Sequence, residues 1–296
     1  MTRSGSLERV LEPDLVSVIV PTRNSARTLE ACLESIARQS HAEVETIVVD
    51  NASSDETREI ASRFECAFLD IGPERSAQRN QGARHAKGAH LLFVDSDMVL
   101  EPDVVAHCVA AARAGATAAI VPEVSFGEGF WAQCKRLERS CYVGDDDIEA
   151  ARFYERALFA RLGGFDEELS GPEDWDLSRR AAVEGTSIAR VSSFIHHDEG
   201  RLRLTGLLRK KFEYGRSFPA YREKHRDMSR QFALVRPAFV RHRRRLAAEP
   251  LTASGVLLMK TLEFSAGAAG ALATLASDLP REASVLRARR RERGGR

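Results

Sequence analysis

The feature that most constrains the fold of this chain is an alternation of short apolar runs and helical segments in its first 121 residues. Apolar runs at residues 15–20, 44–49 and 89–94 predict buried strands. Between them, at residues 28–39 and 76–86, the residue pattern is typical of helices. Because parallel strands need such crossovers, this order predicts an α/β fold with a mostly parallel sheet flanked by helices.

Polar residues follow three of the predicted strands directly, at the points where those strands end. They are Pro21 with Thr22 after the strand at 15–20, Asp50 after the strand at 44–49, and Asp95 with Asp97 after the strand at 89–94. Ligands of open α/β sheets bind beyond the carboxyl ends of the strands. The sequence therefore predicts a ligand site at this edge of the sheet.

Asp95 and Asp97 form a DxD motif, whose two carboxylates suit a hard divalent cation. Magnesium or manganese takes oxygen ligands and binds through few carboxylates together with substrate phosphates. An acid pair alone is more often a solvated turn, and the apolar strand directly before it favours the site. Asp50 has two interpretations, a hydrogen-bond acceptor for a nucleotide base or a cap for the turn that follows it.

Two further candidates lie at predicted helix starts. Arg79, with Asn80, falls in the first turn of a helix, where unpaired N–H groups suit phosphate, although a solvated arginine is the simpler interpretation. Glu173 and Asp174 open another helix. A carboxylate there can serve as a general base on an acceptor hydroxyl, or it can cap the helix and offset its dipole.

The last candidates are His196 and His197, which follow a predicted strand. Such a pair is more often structural, but one imidazole can complete the shell of a bound metal. The five cysteines, odd in number and without a CxxC motif, argue against a disulfide framework or a zinc site and favour a reducing compartment.

Four segments resemble the family 2 glycosyltransferases of the GT-A fold in their order and spacing. In sequence they are VSVIVPTRN, VETIVVDNASSDET, RNQGARHAKGAHLLFVDSDM and GGFDEELSGPEDWDLSRRAAVEG, which together extend over about residues 16–198. Each segment is a weak signal, and their combination is specific. The resemblance implies a GT-A-type nucleotide-diphospho-sugar transferase fold with a helical C-terminal extension. It also implies an enzyme that transfers a sugar, with inversion, from a nucleoside-diphosphate sugar to an acceptor hydroxyl.

The resemblance implies a role for each matched position. Pro21 and Thr22 would line the nucleotide pocket, Asp50 would contact the base, and Arg79 would lie near the ribose or diphosphate. Asp95 would contact the ribose and the metal, Asp97 the metal and the diphosphate, and His197 the metal. Asp174 would be the catalytic base that takes the proton of the acceptor, with Glu173 beside it. Which of the two adjacent histidines lies near the metal stays open. The implied cofactor is a divalent metal, manganese or magnesium, and family habit favours UDP over GDP.

Two rival functions are weaker. A sugar-1-phosphate nucleotidyltransferase needs a glycine-rich basic loop after its first strand, and residues 21–27 contain no glycine. A catalytically inactive nucleotide-sugar-binding protein would not require both Asp97 and Asp174. The net charge of +1 gives no general attraction to nucleic acid. The acceptor, the donor sugar and the oligomeric state are not readable from the sequence.

The predicted organisation is a flexible N-terminus at 1–14, a GT-A domain at 15–200, a helical basic and apolar extension at 201–277, and a basic tail at 278–296. Within the extension, the apolar stretch 255–277 has the length of a membrane span. Lys260 and Glu263 interrupt this stretch, and inserting each charge at the centre of a membrane helix costs about 2.5–3.5 kcal/mol. We therefore expect a packed helix or one at a bilayer surface, in a cytoplasmic protein that reaches the inner face of the membrane in the second case.

Overall fold

The computed structural model describes residues 12–225 and 236–293, with the side chain of Pro13 and those beyond Ser277 excepted. Most of the predicted N-terminal segment and the side chains of the basic tail lie outside the described residues. The chain divides into two compact units. The first unit comprises Met1–Phe126, Tyr142–Glu167 and Glu173–Glu199, and the second comprises Gly127–Cys141, Glu168–Pro172 and Gly200–Arg296. The domain boundary expected near residue 200 stays a prediction.

Within the part of the chain that the structure describes, ten strands form two sheets. In chain order they are β1 (Glu12–Thr22), β2 (Val44–Asp50), β3 (Ala67–Asp70), β4 (Gly88–Phe93), β5 (Met98–Leu100), β6 (Ala118–Ile120), β7 (Glu123–Glu128), β8 (Phe153–Glu155), β9 (Ile188–Arg190) and β10 (Ile195–Arg201). The larger sheet has the order β3-β2-β1-β4-β8-β6-β9, and the smaller has the order β5-β10-β7. The four strands from β3 to β4 run parallel, as do β6 and β9, whereas β8 is antiparallel to both of its neighbours. The α/β fold with a mostly parallel sheet is therefore confirmed.

Helices connect and follow these strands. They are α1 (Leu29–Ala37), α2 (Thr57–Ala61), α3 (Arg75–His85), α4 (Val104–Arg113), α5 (Gly129–Ser140), α6 (Arg156–Arg161), α7 (Glu173–Val183), α8 (Leu204–Arg216), α9 (Phe218–Lys224), α10 (Pro237–Arg241), α11 (Arg243–Ala248) and α12 (Pro250–Arg293). Strand β7 ends at Glu128, directly before α5 begins, and α8 and α9 are separated only by Ser217.

The central strand β1 is buried on both faces because helices cover both sides of the larger sheet. Val18 and Val20 pack into one apolar cluster with α1 and α4, while Ile19 packs into a second cluster on the opposite face with Phe93. This alternation follows from the two-residue period of a strand. Each such side chain contributes about 1.5–3 kcal/mol by leaving water, which fixes the register of the strands that carry the site.

The second unit consists mostly of helices within the described residues. Leu207 of α8 and Val256 and Met259 of α12 share a small apolar cluster with side chains of α5. The α8 and α12 backbones come close at Gly215, where an added Cβ would lie 2.0 Å from the carbonyl oxygen of Gly267. By length and composition alone, Pro250–Ser277 of α12 meets the criterion for a helix that crosses a membrane.

Candidate active site

The carboxyl ends of β1, β2 and β4 bring three of the predicted polar segments to one edge of the larger sheet. Thr22 is in register with Asp50, and its Oγ1 donates a hydrogen bond to Asp50 Oδ1 at 2.7 Å. The loop after β1 reaches the loop after β4, where Ser25 Oγ lies 2.9 Å from Ser96 Oγ, between the two aspartates of the DxD motif. Pro21 lies beside Val49 in the same ladder.

Asp50 is buried, and its side chain also caps the turn that follows it. Its Oδ2 accepts a hydrogen bond from Ser53 N at 2.8 Å, and its Oδ1 accepts one from Ser53 Oγ at 2.6 Å. The turn-capping interpretation is thus seen directly. A contact between Asp50 and a nucleotide base stays a prediction.

Arg79 joins acidic residues that are far apart in the sequence. Its guanidinium has 0% exposed surface; Nη2 donates to Asp95 Oδ1 at 2.6 Å and Nη1 donates to Asp174 Oδ1 at 2.9 Å. Nη1 also lies 3.4 Å from Glu173 Oε1. The DxD motif after β4 and the acidic start of α7 therefore meet at one cation. The guanidinium is thus surrounded by carboxylates. Its contact with ribose or diphosphate stays a prediction.

The charge around Asp95 keeps that carboxyl group ionised. Burial raises its pKa, but Arg79, then Arg75 and Arg152, outweigh burial and hold the pKa well below its usual range. The ion pairs likewise outweigh burial for Arg79, whose pKa is raised chiefly by Asp174 and Asp95. A depressed carboxyl pKa stabilises the folded state at neutral pH, and this contribution is lost progressively as the pH falls from the ordinary carboxyl pKa through the depressed one.

The elements that hold this group are themselves fixed by short-range contacts. Glu74 caps the N-terminus of helix α3, and its side chain accepts a hydrogen bond from Ala77 N at 2.7 Å. Farther along α3, Asn80 Oδ1 accepts from Phe165 N, and Asn80 Nδ2 donates to Phe165 O, both at 2.9 Å. Gly164 has a φ of 76°, and a Cβ there would lie 2.6 Å from Asn80 Oδ1, so the turn needs glycine. The turn before α7 is thereby tied to α3.

Two arginines of this network were not among the sequence candidates. Arg75 is ion-paired with Glu173, which is 1% exposed, and Arg152 contacts Glu123 and lies 3.8 Å from Asp95 Oδ2. A signal for Arg75 exists in the sequence, since it precedes Arg79 by four residues and so shares a helix face with it. Arg152 stands in an apolar stretch, and only the pairing of β8 with β4 brings it to Asp95.

Asp97 and His197 form a separate pair across β5 and β10. His197 Nε2 lies 3.0 Å from Asp97 Oδ2, while His196 points to Glu101, at 3.3 Å. These distances identify His197 as the histidine beside the DxD motif. The Nδ1 atom of His197 is buried without a hydrogen-bond partner.

Among the described side chains of residues 12–225 and 236–277, no three of His, Cys, Asp or Glu form a group able to hold a metal by themselves. The Asp97–His197 pair nevertheless fits a divalent cation that takes its remaining ligands from a substrate. A carboxylate oxygen and an imidazole nitrogen meet there, and magnesium or manganese often binds through one or two protein ligands plus phosphates.

Exposure separates the roles open to the acids. The side chains of Asp97 and Asp174 are 36% and 27% exposed, so both can reach a bound molecule, whereas Glu173 is enclosed. An α/β sheet with a DxD motif, an accessible carboxylate and an arginine between them agrees with the GT-A-type fold that the sequence resemblance implies.

Comparison with known proteins identifies the family. The sequence profile described as "Glycosyl transferase family 2" matches residues 17–166, half of the chain, and the chain belongs to that family. It is 30% identical over 196 residues to a PGL/p-HBAD biosynthesis glycosyltransferase of Mycobacterium bovis, a match that covers 62% of this chain and 74% of that protein. It is also 28% identical over 222 residues to the validoxylamine A glucosyltransferase of Streptomyces hygroscopicus, with 58% and 52% covered. The chain is a glycosyltransferase, as predicted.

Solved structures agree on the fold. The mannosyltransferase PcManGT from Pyrobaculum calidifontis, in complex with GDP-Man and Mn2+, aligns with a TM-score of 0.56 at 22% identity, over 93% of this chain and 82% of that one. S. aureus TarS 1-349 in complex with UDP-GlcNAc aligns with a TM-score of 0.52 at 16% identity, over 89% and 92%. The GT-A-like fold is thereby confirmed.

Proposed function

We propose that this glycosyltransferase transfers a sugar, with inversion at the anomeric carbon, from a nucleoside-diphosphate sugar to an acceptor hydroxyl. The observation that carries the proposal is the bridge made by Arg79 between Asp95 and Asp174. Through it, a donor-side carboxylate and an acceptor-side carboxylate stand on either side of one fixed cation. A single-displacement reaction needs such an arrangement, because the attacking hydroxyl and the leaving diphosphate lie on opposite faces of the sugar.

The nucleotide would bind where Pro21, Thr22 and Asp50 end β1 and β2. Asp50 is ordered by Thr22 and Ser53, so its carboxylate would be held in place for an N–H group of the base. One structural neighbour binds a guanosine and another a uridine nucleotide sugar, so the preference for UDP rests on family habit alone.

Asp97 and His197, with Asp95 beside them, would hold a manganese or magnesium ion against the diphosphate. Such an ion, when bound, neutralises charge that develops on the departing phosphate. Asp95 has both of its oxygens near guanidinium groups, so we assign it mainly to the ribose and to the order of the motif. Asp97 is the more accessible of the two aspartates and is the better ligand.

Asp174 would take the proton from the acceptor hydroxyl as that oxygen attacks the anomeric carbon. Arg79 orients the carboxylate through Nη1 and leaves part of the side chain open to solvent. Glu173 is enclosed and paired with Arg75, which suits a positioning residue better than a second base. On these contacts Arg79 is itself a positioning residue that couples Asp95 to Asp174.

The test is a donor screen with the full chain. Purified protein is incubated with a panel of nucleotide sugars, with and without manganese, and release of nucleoside diphosphate is measured with candidate acceptors present. We expect metal-dependent release from one donor, and donor binding by calorimetry that Asp97→Ala removes.

Three outcomes would contradict this assignment. Release of pyrophosphate from a sugar 1-phosphate and a nucleoside triphosphate would favour the nucleotidyltransferase alternative. Donor binding without turnover on any acceptor would favour an inactive binding protein. Metal-dependent binding that survives in Asp97→Ala would overturn the metal assignment.

A further inference from the structure

One face of α12 is exposed and free of charge over a long distance. Within the described stretch from Leu251 to Ser277, the residues exposed on this outer face are Leu251, Ser254, Leu257, Leu258, Thr261, Ser265, Ala268, Ala269, Leu272, Ala273, Leu275, Ala276 and Ser277. Leu251 and Leu272 are 74% and 65% exposed. At 1.5 Å per residue, the outer face of α12 is roughly 40 Å long.

The charged residues of this stretch lie on the opposite, buried side. Lys260 Nζ is 2.9 Å from Glu138 Oε1 and 2.7 Å from Glu263 Oε2, and Glu263 Oε1 is 3.3 Å from Lys135 Nζ. A helix between a protein core and water normally shows the reverse, with apolar residues inside and charges outside. The inversion indicates that the outer face of α12 meets something other than water.

Basic residues are abundant in the unit that contains this face. The sequence of the second unit contains 26 Lys and Arg against 11 Asp and Glu. Exposed Arg243 and Arg244 belong to α11, the helix before α12 in the chain, and exposed Arg209 and Lys210 belong to α8, which packs alongside α12. An uncharged apolar face in a unit with exposed arginine and lysine on neighbouring helices fits an anionic phospholipid surface, where each basic residue near the headgroups contributes about 1 kcal/mol.

We propose that the outer face of α12 lies in the plane of an anionic phospholipid bilayer, with the neighbouring basic side chains on its headgroups. A membrane span would separate Lys260 and Glu263 from their partners on α5. A second copy of the chain on this face would bring two strongly basic units together, which electrostatic repulsion opposes. Bilayer contact therefore accounts for both the apolar face and the excess of positive charge.

The test is flotation of the full chain with phosphatidylcholine vesicles, prepared with and without phosphatidylglycerol. We expect flotation with the anionic vesicles that falls as salt is raised. Leu258→Glu/Leu272→Glu should weaken this binding by about tenfold or more for each leucine replaced, the scale set by burying one such side chain. Val183→Glu is the matched control, because Val183 is an exposed apolar residue of the first unit, at 88%.

Circular dichroism of each variant verifies that it is folded, and Arg243→Gln/Arg244→Gln provides a second variant that leaves the leucines intact. This second variant should reduce binding to anionic vesicles only. Failure of the unmodified chain to float with either vesicle type would overturn the proposal. So would equal flotation of the unmodified chain and the leucine variant, or a dimer in light scattering that the leucine variant dissociates. Nucleotide-sugar turnover measured without vesicles should be unchanged in the leucine variant. Failure of the membrane proposal is therefore distinguishable from failure of the transferase assignment.

Discussion

The two units of this chain each contain a buried ionic network, and the two networks differ in what they leave open. In the first unit, Arg79 is enclosed, but Asp95 and Asp174 extend from it towards solvent. In the second unit, Glu138 and Glu263 are nearly inaccessible and bind Lys135 and Lys260. The charges of an enclosed network interact only with one another, whereas an open network also presents charge to a ligand.

The sequences of the two units differ in the same sense. The first unit contains 18 Lys and Arg against 32 Asp and Glu, while the second contains 26 against 11, so the overall charge of +1 conceals two opposite halves. Similar ion pairs can therefore contribute to ligand binding in one unit and to stability in the other, depending on whether they are exposed. We expect substitutions in the open network to affect turnover more than stability, and substitutions in the closed network to affect stability more than turnover.

The largest effect should come from Asp174→Asn. Asparagine keeps the shape and can still accept a hydrogen bond from Arg79, but it cannot take a proton, so turnover should fall by about 10²- to 10⁴-fold. Steady-state release of nucleoside diphosphate measures this fall, and the melting temperature should change little. Asp14→Asn, at an exposed acid paired with Arg113, is the control. Normal turnover in Asp174→Asn would remove the base assignment.

The closed network is tested by Glu138→Leu. This change removes the carboxylate that Lys135 and Lys260 share, and removal of one partner from a buried ion pair costs about 3–5 kcal/mol. The midpoint of denaturant unfolding should fall accordingly, while turnover of the folded protein should be retained. Glu138→Leu/Lys260→Met should recover much of the loss, because it also removes the excess positive charge that the single variant leaves. If the double variant is no better than the single one, charge imbalance is not the cause.

Arg79→Lys should have an intermediate effect on turnover. Lysine keeps the charge but cannot direct separate nitrogens to Asp95 and Asp174. Loss of one charge-assisted hydrogen bond, about 1.5–3 kcal/mol, corresponds to a decrease of order 10- to 100-fold. The decrease should appear in kcat more than in KM, since the Asp97–His197 pair is untouched. Arg84→Lys, at an exposed arginine of the same helix, should behave as the unmodified enzyme.

The smallest effect concerns pH. Burial lowers the pKa of Lys211 to about 7, from an ordinary value of 10.5, against the opposing charge of Glu263. Above pH 7 the unfolded chain therefore binds a proton that the folded chain does not, so stability should rise as pH increases from 7 towards 10. The melting temperature measured from pH 7 to 9 should show this rise. Lys211→Met should abolish this rise of the melting temperature, whereas Lys210→Met, at the exposed neighbour, should keep it. The same slope in the unmodified chain and in both variants would contradict the assignment to Lys211.

Sequence reasoning was most successful where a pattern is local. Strands β1, β2 and β4 and the positions of Asp50, Asp95 and Asp97 at their ends follow from apolar runs with a clear beginning and end. It was least successful for β5 and β8, which were not predicted, because a segment of three residues is too short to show a period. The antiparallel placement of β8, and with it the contact of Arg152 with Asp95, was missed for that reason.

The sequence by itself determined the α/β order of the first unit, the polar ends of its strands and the family to which the chain belongs. Only the tertiary structure decided that Arg79 stands between Asp95 and Asp174, that His197 rather than His196 meets Asp97, and that Lys260 and Glu263 face inward on α12. The physical reason is range. Periodicity and turn chemistry act between near neighbours in the chain, whereas ion pairs between residues 79 and 174, or 138 and 260, depend on how separate elements pack.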